Sequence, residues 1–227
     1  MNVKDVRAVL FDLDGTLIDT VKGLTQLVNL MRKDFGKPPL SEEIVGRYIG
    51  KGMLVLVRRA MTESMDAPLD DQIYQLAVKS LFLHTEKGEY DKGTIYPGTK
   101  EVIQSLKKKG LKIAVVTNKP YNMTLEVLEQ AGIKDLFDVI IGGDSASSPK
   151  PSGAPVLLAC EKLGVEPGQA IMVGDSGNDS QSAKAAGVAC LLVSTGWSEG
   201  IPLSEIAKRD GAEAIISTLS EVSKFIG

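Results

Sequence analysis

Two hydrophobic patterns share the chain: short apolar runs that stop at polar residues, and longer stretches whose apolar positions recur every three or four residues. Val9, Leu10 and Phe11 form a run suited to a buried strand, and it ends at Asp12, with Asp14, Gly15 and Thr16 close behind. After Thr20 the spacing turns helical. Val21, Leu24, Leu27, Val28, Met31 and Phe35 predict a helix that Gly36, Pro38 and Pro39 end. Ser41 is a good N-cap, with Glu42 and Glu43 in the first turn where the helix dipole favours anions. Further helices are predicted from about Met53 to Met65 and from about Asp70 to Leu83. No strand pattern interrupts residues 21–90, so this stretch reads as an all-helical insertion.

From Tyr96 onward the chain alternates. Pro97 and Gly98 open a helix ending at Gly110, and Ile113 to Val116 reads as a strand ending at Thr117, Asn118 and Lys119. There follow a helix to Gly132, a strand Val139 to Ile141, a helix Ala154 to Leu163 and a strand Ala170 to Val173 that ends in Gly174 and Asp175. A helix to Gly187, a strand Ala189 to Val193, a short strand Ala214 to Ile216 and a final helix complete the pattern. Strands alternating with helices predict an α/β fold with a doubly wound parallel sheet. Residues 1–19 and 94–227 would form its core, and residues 20–93 the inserted helical domain.

Composition narrows the function classes. With 227 residues, 43% of them apolar, the chain can bury a real core. A net charge of −3 and the absence of a basic stripe give no case for a nucleic-acid partner. The apolar runs fall short of a membrane span and Met1 to Arg7 is too polar to open a signal peptide, so a cytoplasmic protein with no membrane partner is expected. A monomer or homodimer acting on a small molecule fits these bounds. The two cysteines, Cys160 and Cys190, lie in apolar stretches and read as buried free thiols. His84 is the single histidine and sits in a helical stretch, which excludes a multi-histidine zinc site and leaves no motif for a triad. Chemistry therefore falls to carboxylates, lysine and hydroxyls.

In a parallel sheet, strand ends at Asp12, Thr117 and Asp175 share one edge. Lys150, between Pro149 and Pro151, adds a cation from a nearby loop. Carboxylates, a lysine and a hydroxyl suit a phosphoryl group with a divalent metal: the carboxylates hold the hard cation and the lysine offsets charge on phosphoryl oxygens. A bland alternative makes Asp12 and Asp14 a mere turn before Gly15. It leaves three further polar clusters, each also following an apolar strand, without a reason.

The motifs Asp12-Leu13-Asp14-Gly15-Thr16, Thr117-Asn118-Lys119, Pro149-Lys150-Pro151 and Gly174-Asp175-Ser176-Gly177-Asn178-Asp179 resemble, in order, the four signatures of the haloacid dehalogenase superfamily. The resemblance implies a Rossmann-like core with a helical cap after the first strand, closing over the site. It implies that Asp12 is a nucleophile forming an aspartyl-phosphate and that Asp14 protonates the leaving alcohol and then deprotonates water. Thr117 and the backbone amides around Leu13 and Asn118 would hold phosphoryl oxygens, with Lys150 neutralising their charge. Magnesium (Mg2+) would be held by Asp12, the backbone carbonyl of Asp14, and Asp175, with Asp179 either a ligand or a cap on the following helix. Dehalogenases proper lack an acid at the place of Asp14, so phosphate ester chemistry is implied.

Within the insertion, Ile49-Gly50-Lys51-Gly52 followed by Leu56, Arg59, Ala60 and Met61, together with Val116-Thr117-Asn118-Lys119-Pro120 and Ile141-Gly142-Gly143-Asp144, resembles the bacterial phosphoglycolate phosphatases. Gly50, Lys51 and Gly52 then read as an anion-binding device for a small carboxylate-bearing substrate, or else as a plain helix linker. Ser152 and Thr195-Gly196-Trp197 depart from that subfamily's pattern, and they bear on substrate choice. Trp197 lines the entrance or simply packs, Asp19 and Thr20 cap a helix or sit at a hinge, and neither Arg58 nor Arg59 is assigned to the site. Other phosphomonoesters remain as alternatives, namely a sugar phosphate, a nucleotide or N-acetylmuramate 6-phosphate, as does pyrophosphate. A non-catalytic phosphate-binding module is the reading from another class, and the paired Asp12 and Asp14 argue against it.

Overall fold

The computed structural model describes residues 5–88 and 90–226; the first residues of the Met1 to Arg7 segment considered above lie outside them. Six strands make one parallel sheet: β1 (Ala8–Phe11), β4 (Lys112–Val116), β5 (Val139–Ile141), β6 (Ala170–Gly174), β7 (Ala189–Val193) and β8 (Ala214–Ile216). Their order is β5-β4-β1-β6-β7-β8. Because strand side chains alternate between faces, the apolar runs feed two cores. Val9, Phe11, Ile113, Val115, Ile171 and Val173 enter one, with Ile103 and Leu106 of α5 (Thr99–Lys108) and Val127 and Leu128 of α6 (Tyr121–Gln130). Leu10, Ala114, Val116, Met172 and Leu192 enter the other, with residues of α7 (Ala154–Leu163), α8 (Gly177–Ala186) and α9 (Leu203–Asp210). The sheet is thus covered on both sides, as its continuous apolar strands require.

Four helices lie between β1 and β4 in sequence: α1 (Val21–Asp34), α2 (Glu42–Tyr48), α3 (Met53–Thr62) and α4 (Asp71–Glu86). Leu24, Leu27, Val28 and Met31 of α1 meet Val45 and Tyr48, Leu56 and Val57, and Ala77 and Leu81 in a third core, which Met123 of α6 also joins. Arg32 is fully buried there and donates to the carbonyls of Pro38 and Ala60 and to Glu63. Ser41 caps α2 as read, accepting from Ile44 N, and Asp70, at the expected start of α4, accepts from the amides of Gln72 and Ile73. The insertion enters and leaves through an antiparallel pair of two-residue strands, β2 (Ile18–Asp19) and β3 (Thr94–Ile95).

Besides the short β2 and β3, which were not predicted, helical elements differ from the sequence reading. α3 stops at Thr62, where Glu63 turns left-handed (φ 53°) and pairs with Arg32. α9 was not predicted, since Ile206 is its one fully buried apolar residue and the periodic signal is faint. The expected final helix is a run of 3-10 turns at Leu219–Phe225. Among the described residues, no helix is long and apolar enough to cross a membrane.

Candidate active site

Because β4, β1 and β6 are neighbours in parallel, their last residues deliver Thr117, Asp12 and Asp175 side by side at the carboxyl edge. Lys150 comes from the loop after β5 and passes beneath them, 2% exposed. Its ammonium donates to Val116 O at 2.8 Å and to Asp179 Oδ1 at 2.5 Å. Asn118 fixes that loop: its Oδ1 accepts from Lys150 N at 2.8 Å, and its Nδ2 donates to Lys150 O at 2.9 Å and to Gly50 O at 3.0 Å. One amide thus ties the lysine loop to the helical insertion.

Asp12, Asp175 and Asp179 place carboxylate oxygens within 4.8 Å of one another, all three residues buried. Asp179 makes the cap bonds considered above and also lies beside the other two acids. Its Oδ2 accepts from Ser176 N and Oγ, capping α8, while it stands in the carboxylate cluster. The cluster is packed too tightly for side chains on its glycines: a Cβ on Gly174 would lie 2.2 Å from Asp179 Cγ, and one on Gly196 1.7 Å from Asp175 Oδ2. Trp197 N also donates to Asp175 Oδ2 at 3.2 Å.

Burial and the neighbouring charge of Asp179 raise the Asp12 carboxyl from 3.8 to about 7, against the pull of Lys150. Asp175 is pushed well above the usual carboxylate range, first by burial and then by Asp179 and Asp12. For Lys150, burial favours loss of the proton, but the charges of Asp12 and Asp179 outweigh it and hold the ammonium above its ordinary value. Lys150 Nζ stands 2.9 Å from Asp12 Oδ1 without being aligned as a hydrogen bond, and that buried oxygen has no hydrogen-bond partner. Three crowded acids against one lysine, with one oxygen lacking a donor, fit a hard divalent cation.

Asp14 stands apart from the cluster. Lys119 Nζ contacts both its oxygens, at 2.9 and 3.0 Å, and Thr20 Oγ1 donates to Oδ1 at 2.6 Å. Thr20 therefore makes no side-chain cap on α1; the neighbouring Asp19 Oδ1 accepts from Val21 N instead. Leu13 buries its side chain in the core, leaving its backbone to the site.

Asp12, Asp14, Thr117, Asn118 and Lys119 face Leu24, Ile49, Gly50, Gly52, Met53 and Leu56 of the insertion across a cavity of about 30 Å³. Lys51 is the sequence candidate the structure does not bring in: it is exposed and does not line the cleft. Gly50 and Gly52 (φ 118° and 83°) turn the chain toward Asn118, and the lysine between them points outward. Three contacts hold the insertion down on the sheet edge. Asn118 bonds Gly50, Trp197 lies where a Cβ on Gly46 would be 2.3 Å from its ring, and Arg59 pairs with Glu199 at 2.6 Å.

Several of these roles escaped the sequence. Lys119 sits inside a recognised motif at a strand end, so its position was legible but its partner, 105 residues away, was not. Glu199 follows Trp197 in a loop with no periodic signal. Arg59 is 2% exposed and also donates to Tyr48 O, which gives the arginine pair left unassigned one inward member.

A doubly wound sheet whose carboxyl edge gathers acids, a lysine and a threonine under a helical insertion defines a hydrolase of the haloacid dehalogenase type. The model of the family described as haloacid dehalogenase-like hydrolase matches residues 9–193, and the chain belongs to that family. It is 35% identical over 222 residues to a phosphoglycolate phosphatase of Chromobacterium violaceum, covering 98% of this chain and 97% of the relative. It is 38% identical over 221 residues to that of Nitrosospira multiformis, covering 97% and 96%. Among solved structures, a predicted phosphoglycolate phosphatase from Haemophilus somnus superposes with a TM-score of 0.87 at 32% identity, covering 97% of this chain and 98% of that one.

Proposed function

We propose that the protein is a magnesium-dependent phosphomonoester hydrolase whose substrate is 2-phosphoglycolate, cleaved to glycolate and phosphate. The observation that carries the reaction is the buried cluster of Asp12, Asp175 and Asp179 on Lys150, with Asp14 close by in the same cleft. The substrate reading rests on the relatives above and on the small cavity.

Asp12 attacks phosphorus through a carboxylate oxygen; the phosphorus–ester oxygen bond breaks, and Asp14 gives its proton to the departing alkoxide. Water then attacks the aspartyl-phosphate as Asp14 takes a proton back, and inorganic phosphate leaves with Asp12 restored. Lys150 and Thr117, with the backbone amides of Leu13 and Asn118, hold the phosphoryl oxygens whose charge grows on the way. When bound, magnesium would be held by Asp12, Asp175, Asp179 and the backbone carbonyl of Asp14, and would supply charge neutralisation that lets two anions meet.

Residues 20–93 act as a cap over a core of residues 1–19 and 94–227. A cavity of about 30 Å³ is small for a phosphate ester, and lifting of the cap would admit one. The decisive experiment is phosphate release from a panel of phosphomonoesters and pyrophosphate, with magnesium and with chelator. We expect 2-phosphoglycolate to rank first and chelator to stop turnover. A sugar phosphate or nucleotide in first place overturns the substrate, and silence across the panel overturns the enzyme.

A further inference from the structure

Lys119 is held in a way that its place in a strand-end motif does not explain. Its side chain is 2% exposed, and its ammonium contacts both oxygens of Asp14. A buried ammonium needs an anion opposite it, because the interior solvates charge poorly. While Asp14 is that anion, its carboxylate is taken up by Lys119 and Thr20. Among the described residues lining the cleft, Lys119 is the one with a positive side chain. Lys51, the other candidate, faces outward. The cap side of the cleft is otherwise apolar side chains and glycines, with Leu24, Met53 and Leu56 unable to receive a second charge on a substrate.

We propose that Lys119 is the residue that selects an anionic leaving group: the substrate's carboxylate replaces that of Asp14 on the Lys119 ammonium, and Asp14, released, takes a proton from water and turns to the ester oxygen, where it can give that proton up. The inference rests on the 2-phosphoglycolate reading and deepens it. In that substrate the carboxylate carbon is one methylene removed from the ester oxygen, so the second charge lies only a few bonds from the phosphoryl group, and Lys119 is the positive side chain of the cleft lining that can receive it. An ester without the carboxylate leaves Lys119 and Asp14 paired. Selection and activation are then one exchange of ion-pair partners, and net charge around Lys119 is kept throughout.

The experiment compares 2-phosphoglycolate with 2-hydroxyethyl phosphate, which has similar size but an alcohol in place of the carboxylate, in the wild type, K119M and K119Q. A charge-assisted hydrogen bond is worth about 10- to 100-fold in such a comparison. We expect both variants to cut the kcat/KM preference for 2-phosphoglycolate by about that factor, mostly through the carboxylate substrate. Equal losses on both substrates, with the preference kept, would make Lys119 a packing residue and overturn the inference. Inhibition supplies a reading that needs no variant: 3-phosphonopropionate should bind the wild type about 10-fold or more tighter than propylphosphonate, and equal inhibition overturns the proposal. A wild type that does not prefer 2-phosphoglycolate at all fails earlier and differently, since it removes the functional reading before Lys119 is in question.

Discussion

At the scale of single residues, Asp12 carries the most exposed claim. The Asp12→Asn variant is nearly isosteric and should lose at least about 10³-fold in kcat, because an amide neither attacks phosphorus nor forms the covalent intermediate. The fold should survive, as circular dichroism would show; wild-type-like turnover would sink the assignment. The glycines around the acids are a second test. Gly196→Ala puts a Cβ 1.7 Å from Asp175 Oδ2, so Asp175 must shift. Magnesium affinity measured by calorimetry should fall while the cap and sheet stay intact; unchanged affinity would show that Asp175 is not a ligand.

Much at this scale could be read directly from the sequence, because each of Asp12, Thr117 and Asp175 follows an apolar strand and parallel strands fix where such residues go. Pairings were not legible. Nothing local to Asp14 names Lys119, and nothing in Arg59 names Glu199, 140 residues away. The Gly50-Lys51-Gly52 stretch misled in an instructive way: the pattern marked the right loop, but what reaches the cleft is the two glycines, and the charge between them faces solvent.

At the scale of elements, short apolar runs alternating with helical stretches announced the sheet, whereas β2 and β3 are two residues each and exist only because the ends of the insertion meet. The connection between Ser198 and Gly200 was also invisible. Ser198 and Glu199 both adopt left-handed backbone (φ 45° and 54°), a conformation that costs non-glycine residues on the order of 1–2 kcal/mol each. That cost is offset by what Glu199 does there. It meets Arg59, whose side chain is 2% exposed, and comes within 3.5 Å of Asn178 Nδ2. Glu199→Gln should remove roughly 1–3 kcal/mol from closure of the cap while leaving the core untouched. Hydrogen exchange in α2 and α3 should accelerate relative to the sheet; an unchanged pattern would mean that the pair does not hold the cap.

For the whole molecule, the crowded acids set a pH dependence of stability. Asp12 binds its proton more tightly folded, at about 7, than its ordinary value of 3.8 allows in an unfolded chain, so its contribution is complete below about 4 and is lost as pH rises through 7. Asp175 is shifted in the same direction. Metal-free protein should therefore show a Tm that falls between pH 4 and 8. Added magnesium should raise Tm far more at pH 8 than at pH 5, since protons and metal compete for the same oxygens. A Tm that is flat across this range, with no metal effect at pH 8, would contradict the cluster's assignment. The sequence announced the acids but not this behaviour, which depends on their being buried within 4.8 Å of one another.

Trp197 is the chain's single tryptophan, and its ring lies against Gly46 of α2 while its backbone holds Asp175. The contact between the helical insertion and the sheet edge therefore also carries the molecule's only indole fluorophore. Lifting the helices would wet that ring and shift its emission to the red, so an unlabelled stopped-flow trace can time each opening and closing during turnover.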